Sequence, residues 1–228
     1  MIMANKGKSR HIKGLNAPRY MAIHRKELRY IIKQNAGRHT LDSSLALVLV
    51  AKKLKVAESS ADARRIIKNG NIMVNGKPVS EPKYPVGLND VIEVKGNGHY
   101  KVGIDRLAKI SITEASKSDA GSRLCRVIGK YKAGGNTLML RLHDGSIVKG
   151  SKEARVNDSV ILDAKGKVSK IIKLDVGSQC SVIDGVHVGT AGTVRELKEG
   201  NMHKEKSAII EGKDGKFETL VKNIMVTG

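Results

Sequence analysis

Ser59-Ser60-Ala61-Asp62-Ala63-Arg64-Arg65-Ile66-Ile67-Lys68-Asn69-Gly70, and after Asn71 the run Ile72-Met73-Val74-Asn75-Gly76-Lys77-Pro78-Val79, decide how the rest of the chain is read. The first run has the signals of a short helix: a serine cap, an aspartate three residues on and a glycine past the far end. Its two faces differ. Ala63, Ile66 and Ile67 stand three and four apart and can face a core, while Arg64 and Lys68 share the opposite side with Arg65 beside them. In the second run Asn75-Gly76 supplies the two positive-φ residues of a tight hairpin turn. A cationic helix is therefore held beside a rigid turn. Phosphate contact is the reading taken for Arg64, Arg65 and Lys68, against the plain alternative of a solvated face, and Asn75 and Lys77 on the turn join the set.

Working outward, Leu45, Val48 and Leu49 give a preceding helix its buried stripe, and Lys52, Lys53 and Lys55 crowd its end. Those lysines suit the negative end of a helix dipole and equally suit RNA, and the sequence leaves both open. Glu81-Pro82-Lys83-Tyr84-Pro85 is too proline-rich for an inner strand, so a loop is expected before the Asn89-Asp90 turn and the strand Val91–Val94. The run from Leu41-Asp42 through Ala63-Arg64-Arg65-Ile66-Ile67, Gly70, Val74-Asn75-Gly76, Val79 and Asn89-Asp90-Val91-Ile92 resembles the S-four-type RNA-binding domain. That resemblance implies a basic helix laid against folded RNA. Ser60 stands where many members carry Arg, which shifts recognition toward other cations.

The whole chain of 228 residues carries a net charge of +20, the footprint of a polyanionic partner. Its longest apolar run, Leu45 to Ala51, is far too short to span a bilayer, so nucleic acid is favoured over membrane. At 40% apolar the chain is not disordered throughout, but aromatics at 3% with no Trp make each core small and aliphatic. Such modules need to pack on one another or on a partner. Cys125 and Cys180 show no CxxC or CxxH spacing, so they read as buried thiols in a reducing compartment and not as a zinc site. No metal or other cofactor is expected. The start has no apolar core of a secretory signal and reads as a cytoplasmic arm.

That arm, residues 1–40, holds ten Lys and Arg against one acid. Lys6, Lys8, Arg10 and Lys13 lie in a stretch without apolar period, expected to stay extended until neutralised, and Arg19 follows. Gly7-Lys8-Ser9 imitates a phosphate-binding loop but lacks the first glycine and the preceding strand. Met21 to Gln34 reads either as a helix formed on an acidic partner or as a solvated surface helix. Tyr20 is either a stacking residue or an apolar anchor. Residues 41–98 form the S-four-type module, with Gly96-Asn97-Gly98 as a joint. Residues 99–172 read as short strands, including the hairpins around His143-Asp144-Gly145-Ser146 and Asp163-Ala164-Lys165-Gly166-Lys167. Lys130 and Lys132 beside Gly134-Gly135 mark either a phosphate-touching loop or a plain hairpin tip.

The last unit, residues 173–228, has eight cations and eight acids. Its glycines, Gly185, Gly189 and Gly192 before Val194, alternate with β-branched residues as sharply bent strands require. This stretch resembles a KOW motif, which implies an SH3-like barrel that touches its partners through loops. The fold class expected overall is α+β and multidomain: an S-four-type module, a central small barrel-like domain and a terminal KOW barrel.

In this order the parts resemble one family, the small-subunit ribosomal protein S-four-e of archaea and eukaryotes. His11-Ile12-Lys13, Ala17-Pro18-Arg19-Tyr20-Met21, Val156-Asn157-Asp158-Ser159-Val160 and Ile171-Ile172-Lys173-Leu174-Asp175-Val176-Gly177 carry that likeness, and the short end after the barrel suits the archaeal type. The resemblance implies a structural, non-enzymatic part of the small ribosomal subunit, partnered by ribosomal RNA and neighbouring ribosomal proteins and by no small-molecule substrate. Two other readings compete: an RNA-modifying enzyme, for which only residues 99–172 leave room, and a free-standing KOW-type RNA chaperone or transcription factor. The seven His show no paired spacing, no GxSxG occurs, and the five scattered Tyr form no stacking sheet.

Overall fold

The computed structural model describes residues 11–21, 23, 29–40, 43–134, 137–163, 165–213 and 215–228. Lys6, Lys8 and Arg10 lie outside these, as does the side chain of Arg19. The described residues of the leader from His11 onward are folded, which differs from the extended arm expected. Strand β1 (His11–Lys13) pairs antiparallel with β2 (Tyr30–Ile32), His11 opposite Ile32. Ala17, Met21 and Ile31 are buried in the first core. The reason is apolar content: Met21 and Ile31 find cover on the next module, and Gln34 Nε2 is fixed on the Ser44 carbonyl at 3.0 Å. A strand therefore stands at Tyr30–Ile32 where a helix was expected.

Strand β3 (Ser44–Ala46), helix α1 (Leu47–Lys53) and helix α2 (Ser60–Lys68) follow. Leu45, expected in the first helix, lies instead in β3, opposite Val86 of a strand reached later in the chain. Helix α1 buries Leu47, Val48, Val50 and Ala51. Its first N–H groups find partners outside the helix, Leu47 on the Tyr84 carbonyl and Val48 on that of Pro82, so the proline-rich loop caps it. Helix α2 is capped by Ser59, whose Oγ accepts from the Asp62 N–H at 3.1 Å. At its far end Gly70 (φ 69) closes a Schellman motif, with Gly70 N–H on Ile67 and Asn71 N–H on Ile66. Ala63 and Ile67 are buried.

Strands β4 (Ile72–Val74) and β5 (Lys77–Pro78) flank the expected turn, Asn75 at φ 52 and Gly76 at φ 73. After β6 (Pro85–Gly87), the partner of β3, come β7 (Val91–Val94), β8 (Gly98–Ile104) and β9 (Ile110–Ala115). The sheet runs β5-β4-β7-β8-β9. Gly96-Asn97-Gly98, expected as a joint, is thus a hairpin turn: both glycines have positive φ, and Val94 pairs with Gly98 across it.

Helix α3 (Lys117–Ala120) leads to β10 (Ser122–Ala133), β11 (Thr137–Leu142), β12 (Ile147–Lys149), β13 (Ser159–Asp163) and β14 (Val168–Ile172). The first half of β10 pairs with β13 and the second with β11, with a bulge between Val127 and Gly129 that lets one strand serve two ladders. Both expected hairpins are present. Cys125, Val127, Leu140, Leu142, Val160 and Leu162 fill this second core.

Strands β15 (Gln179–Val182), β16 (Ala191–Lys198), β17 (Ser207–Gly212), β18 (Gly215–Leu220) and β19 (Ile224–Val226) make the last sheet, ordered β18-β17-β16-β15-β19, over a core of Cys180, Val194, Ile210 and Ile224. The chain is mostly sheet with few helices, and among the described residues none of the three five-stranded sheets closes into the barrels expected. Burial pushes the thiols of Cys125 and Cys180 up to about 12 and about 11, which keeps both unreactive. One side chain links the three sheets' segments. Asn89 Nδ2, on a left-handed turn residue (φ 61), donates to the Leu124 carbonyl and to Met225 Sδ, each at 3.0 Å.

Candidate nucleic-acid interface

Helix α2 presents Arg64, Arg65 and Lys68 to solvent on the side away from Ala63 and Ile67. Among the described residues none of the three has an acidic partner, so their charge is free for an anion. At the end of α1 the three lysines divide. Lys55 sits exposed at φ 54 in a second Schellman turn, with its N–H on the Lys52 carbonyl. Lys52 is half-buried. Lys53 turns back, its Nζ donating to the Ile110 carbonyl at 3.0 Å. Burial first, and Lys109 second, lower the Lys53 ammonium from its usual range. That lysine fastens α1 to β9.

The turn residues also divide. Asn75 uses both ends of its amide inside the fold, Nδ2 donating to Asp90 Oδ1 at 2.7 Å and Oδ1 accepting from the Val91 N–H at 3.0 Å. It shapes the turn. Lys77 is exposed and lines a cleft of about 160 Å³ between the β4–β5 turn and the central sheet, together with Arg38, Arg123 and Lys165. Arg38 and Lys165 escaped the sequence reading. Nothing in a linear pattern links positions 38, 77 and 165; only packing brings them to one cleft.

Beneath that cleft lies a buried polar seam. Asp90 Oδ2 meets His39 Nε2 at 2.8 Å and accepts from the Gly87 N–H at 2.9 Å. Burial alone would raise the Asp90 carboxyl, but the contacts from His39, Gly87 and Asn75 outweigh it and hold it below the usual carboxylate range. Arg123 Nη1 lies 2.8 Å from Asp144 Oδ2, both nearly buried. A buried pair of this kind fixes register more than it adds net stability. His143 Nδ1 accepts from the Arg126 N–H at 3.2 Å, so His143 is a turn residue, as its Asp-Gly neighbours suggest. The seam sets the orientation of the cationic turn against the central sheet.

Elsewhere Lys13 and Lys132 are exposed. Lys130 is not free: its Nζ donates to the carbonyls of Lys152 and Ala154, both at 2.7 Å. Tyr20 packs half-buried against the first core, and its hydroxyl accepts from Gln34 Nε2 at 3.3 Å. The anchor reading fits it.

Comparison with known proteins meets this geometry at two places. The S4 domain model matches residues 47–92, the span of both helices and the turn, and the model of the Ribosomal family S4e matches residues 96–179. Small ribosomal subunit protein eS4 of Methanosphaera stadtmanae is 30% identical over 229 residues, covering 99% of this chain and 95% of its own length. The chain belongs to the S4e family. Its eS4 relatives include those of Methanothermobacter thermautotrophicus, 31% identical over 231 residues (100% of this chain, 94% of the relative), and Desulfurococcus amylolyticus, 33% over 243 (99% and 95%). The crystal structure of the 30S ribosomal protein S4e from Thermoplasma acidophilum superposes with a TM-score of 0.71 at 29% identity, covering 82% of this chain and 96% of that one. The S4e match fills residues 96–179, where a catalytic domain would have had to lie, and the enzyme and free-standing factor readings gain no support.

Proposed function

We propose that this S4e chain is a structural component of the small ribosomal subunit, of the archaeal type and cytoplasmic, that clamps folded ribosomal RNA between its first module and its central sheet. The observation that carries the reading is the cationic face of α2, without an acidic partner among the described residues, with the cleft at Lys77 as a second seat. Every cation on a phosphate releases condensed counterions, so affinity falls with salt by a log-log slope of about 0.7 to 0.9 per contact. Arg64, Arg65, Lys68, Lys55 and Lys77 are the contacts of choice, joined by Arg38 and Lys165. Lys6, Lys8, Arg10, Lys13, Arg19, Lys52 and Lys132 belong to the same basic surface in the sequence reading. Lys53, Lys130 and Asn75 act by holding that surface in shape.

Three separate cores support a layout in three units, the first reaching through β9 and the last a small KOW-type sheet. Neighbouring ribosomal proteins cover the remaining surface. Co-sedimentation tests the reading: the chain should stay at stoichiometric level on small subunits through a moderate salt wash. Release at low ionic strength, or turnover of uridine on ribosomal RNA fragments, would overturn it.

A further inference from the structure

The last unit carries no net charge, yet its cations are unevenly engaged. Arg195 pairs with Glu211, Lys198 with Glu218 at 3.0 Å, Lys206 with Glu199 at 2.7 Å and Lys222 with Glu205 at 2.6 Å. Lys213 and Lys216, both exposed, have no such partner among the described residues. These two line a cleft of about 320 Å³. That size falls inside the range of ligand clefts, roughly 300–1,000 Å³. The cleft at Lys77, about 160 Å³, falls below it.

One wall of the larger cleft is aromatic. His187 stacks on Phe217 with ring centroids 4.3 Å apart and planes 27° from parallel. Phe217 packs on the third core, whereas His187 is half-buried and its ring nitrogens make no hydrogen bond among the described residues. The floor is glycine: a Cβ on Gly212 would come within 3.3 Å of Phe217 Cε1. Arg106, from the β8–β9 turn of the first unit, also lines the cleft. Gly189 (φ 74) lets the two units approach so closely that a Cβ there would lie 2.6 Å from the Arg106 nitrogen. The cleft is therefore preformed between two units.

We infer that this cleft takes one unstacked nucleobase of ribosomal RNA, its plane on the His187 ring and its phosphate between Lys213 and Lys216. The inference rests on the RNA-binding reading above. An aromatic wall offers a π-face to any base, a glycine floor leaves room for a flat ring, and two ammonium groups with no acidic partner among the described residues satisfy the phosphate that accompanies it. Neutrality of the unit is then no obstacle, because stacking supplies what bulk charge does not. A neighbouring protein is the competing occupant, with Val186, 94% exposed, and Leu107, 67% exposed, as apolar anchors beside the lining residues His187 and Arg106, but the cations Lys213 and Lys216 in the same lining favour an anionic one.

The test uses the full chain and a short single-stranded oligoribonucleotide containing 2-aminopurine. Wild type should quench the probe on binding. His187→Ala should weaken that binding by about 5- to 150-fold, the range for loss of one base–aromatic stack. His187→Phe should restore it, and thermal melts should show all three chains folded. Absence of quenching by a wild-type chain that still binds small-subunit RNA in a salt-sensitive way overturns the cleft alone. Quenching that survives His187→Ala does the same, while failure to bind either RNA removes the underlying reading as well. In intact subunits, a photo-crosslinker on Val186→Cys, the other thiols being buried, should attach to RNA. Attachment to a protein would sink the inference.

Discussion

Replacing Arg64 and Arg65 together by Ala isolates the cationic face of α2 from the fold that carries it. Both side chains are exposed, neither has an acidic partner among the described residues, and Ala63 and Ile67 on the other side make the packing contacts. Stability should therefore move little: exposed substitutions stay within about 0.5 kcal/mol, and the loss of Arg65 from the last turn costs about 0.3–1 kcal/mol in dipole terms. Ala is the best helix former and offsets part of that. RNA binding should change in a defined way. Two lost phosphate contacts flatten the log-log salt slope by roughly 1.4 to 1.8. Between about 50 and 200 mM salt, a fourfold step, the deficit of the variant relative to wild type should then shrink by about 7- to 12-fold. Filter binding of a small-subunit ribosomal RNA fragment across a salt series reads the slope, and a thermal melt checks the fold. An unchanged slope with a weakened affinity would mean that these arginines act through shape and not through phosphates. An unchanged slope and affinity would take α2 out of the interface.

Lys130→Met should do the reverse, lowering stability through two abandoned carbonyls while leaving the salt slope as it was; a flattened slope would return Lys130 to the interface. Met21→Ala should cost about 2–5 kcal/mol by denaturant melt, since Met21 is fully buried although it lies in the basic leader. A negligible cost would restore a detached arm. Burial, opposed mainly by Asp144, pushes the His143 imidazole down to about 4 from 6.5. Unfolded chains then bind a proton in that window that folded chains exclude, so stability is complete above about pH 6.5 and falls toward about pH 4. At about 1.36 kcal/mol per unit the loss has a ceiling near 3 kcal/mol, and His143→Gln should remove most of this slope from melts run at pH 4.5 to 7. A slope that persists in that variant would place the titration elsewhere.

Local chemistry was legible wherever a residue acts through its near neighbours in the chain. The Ser59 cap, the Gly70 end, the Asn75-Gly76 turn and the hairpin at Asp144-Gly145 depend on bonds between residues two to five apart, and all four are in place. Leu45 was misplaced because an apolar run reads alike as helix or buried strand until a partner, here Val86, is known. The same holds for Gly96-Asn97-Gly98: two glycines mark a turn or a joint, and pairing of Val94 with Gly98 chooses the turn.

Sequence alone determined the sign and distribution of charge, the two faces of α2 and the family resemblance, because those are properties of composition and short-range spacing. Which cations are free was settled only in three dimensions. Lys53 and Lys130 spend their ammonium groups on carbonyls of Ile110, Lys152 and Ala154, whereas Arg38, Lys77 and Lys165 gather at one cleft from three distant segments. The aromatic wall was equally hidden: five tyrosines drew attention, and the platform is His187 on the single Phe of the chain. A long side chain reports its charge in the sequence, but its partner is chosen by which backbone groups folding brings within reach.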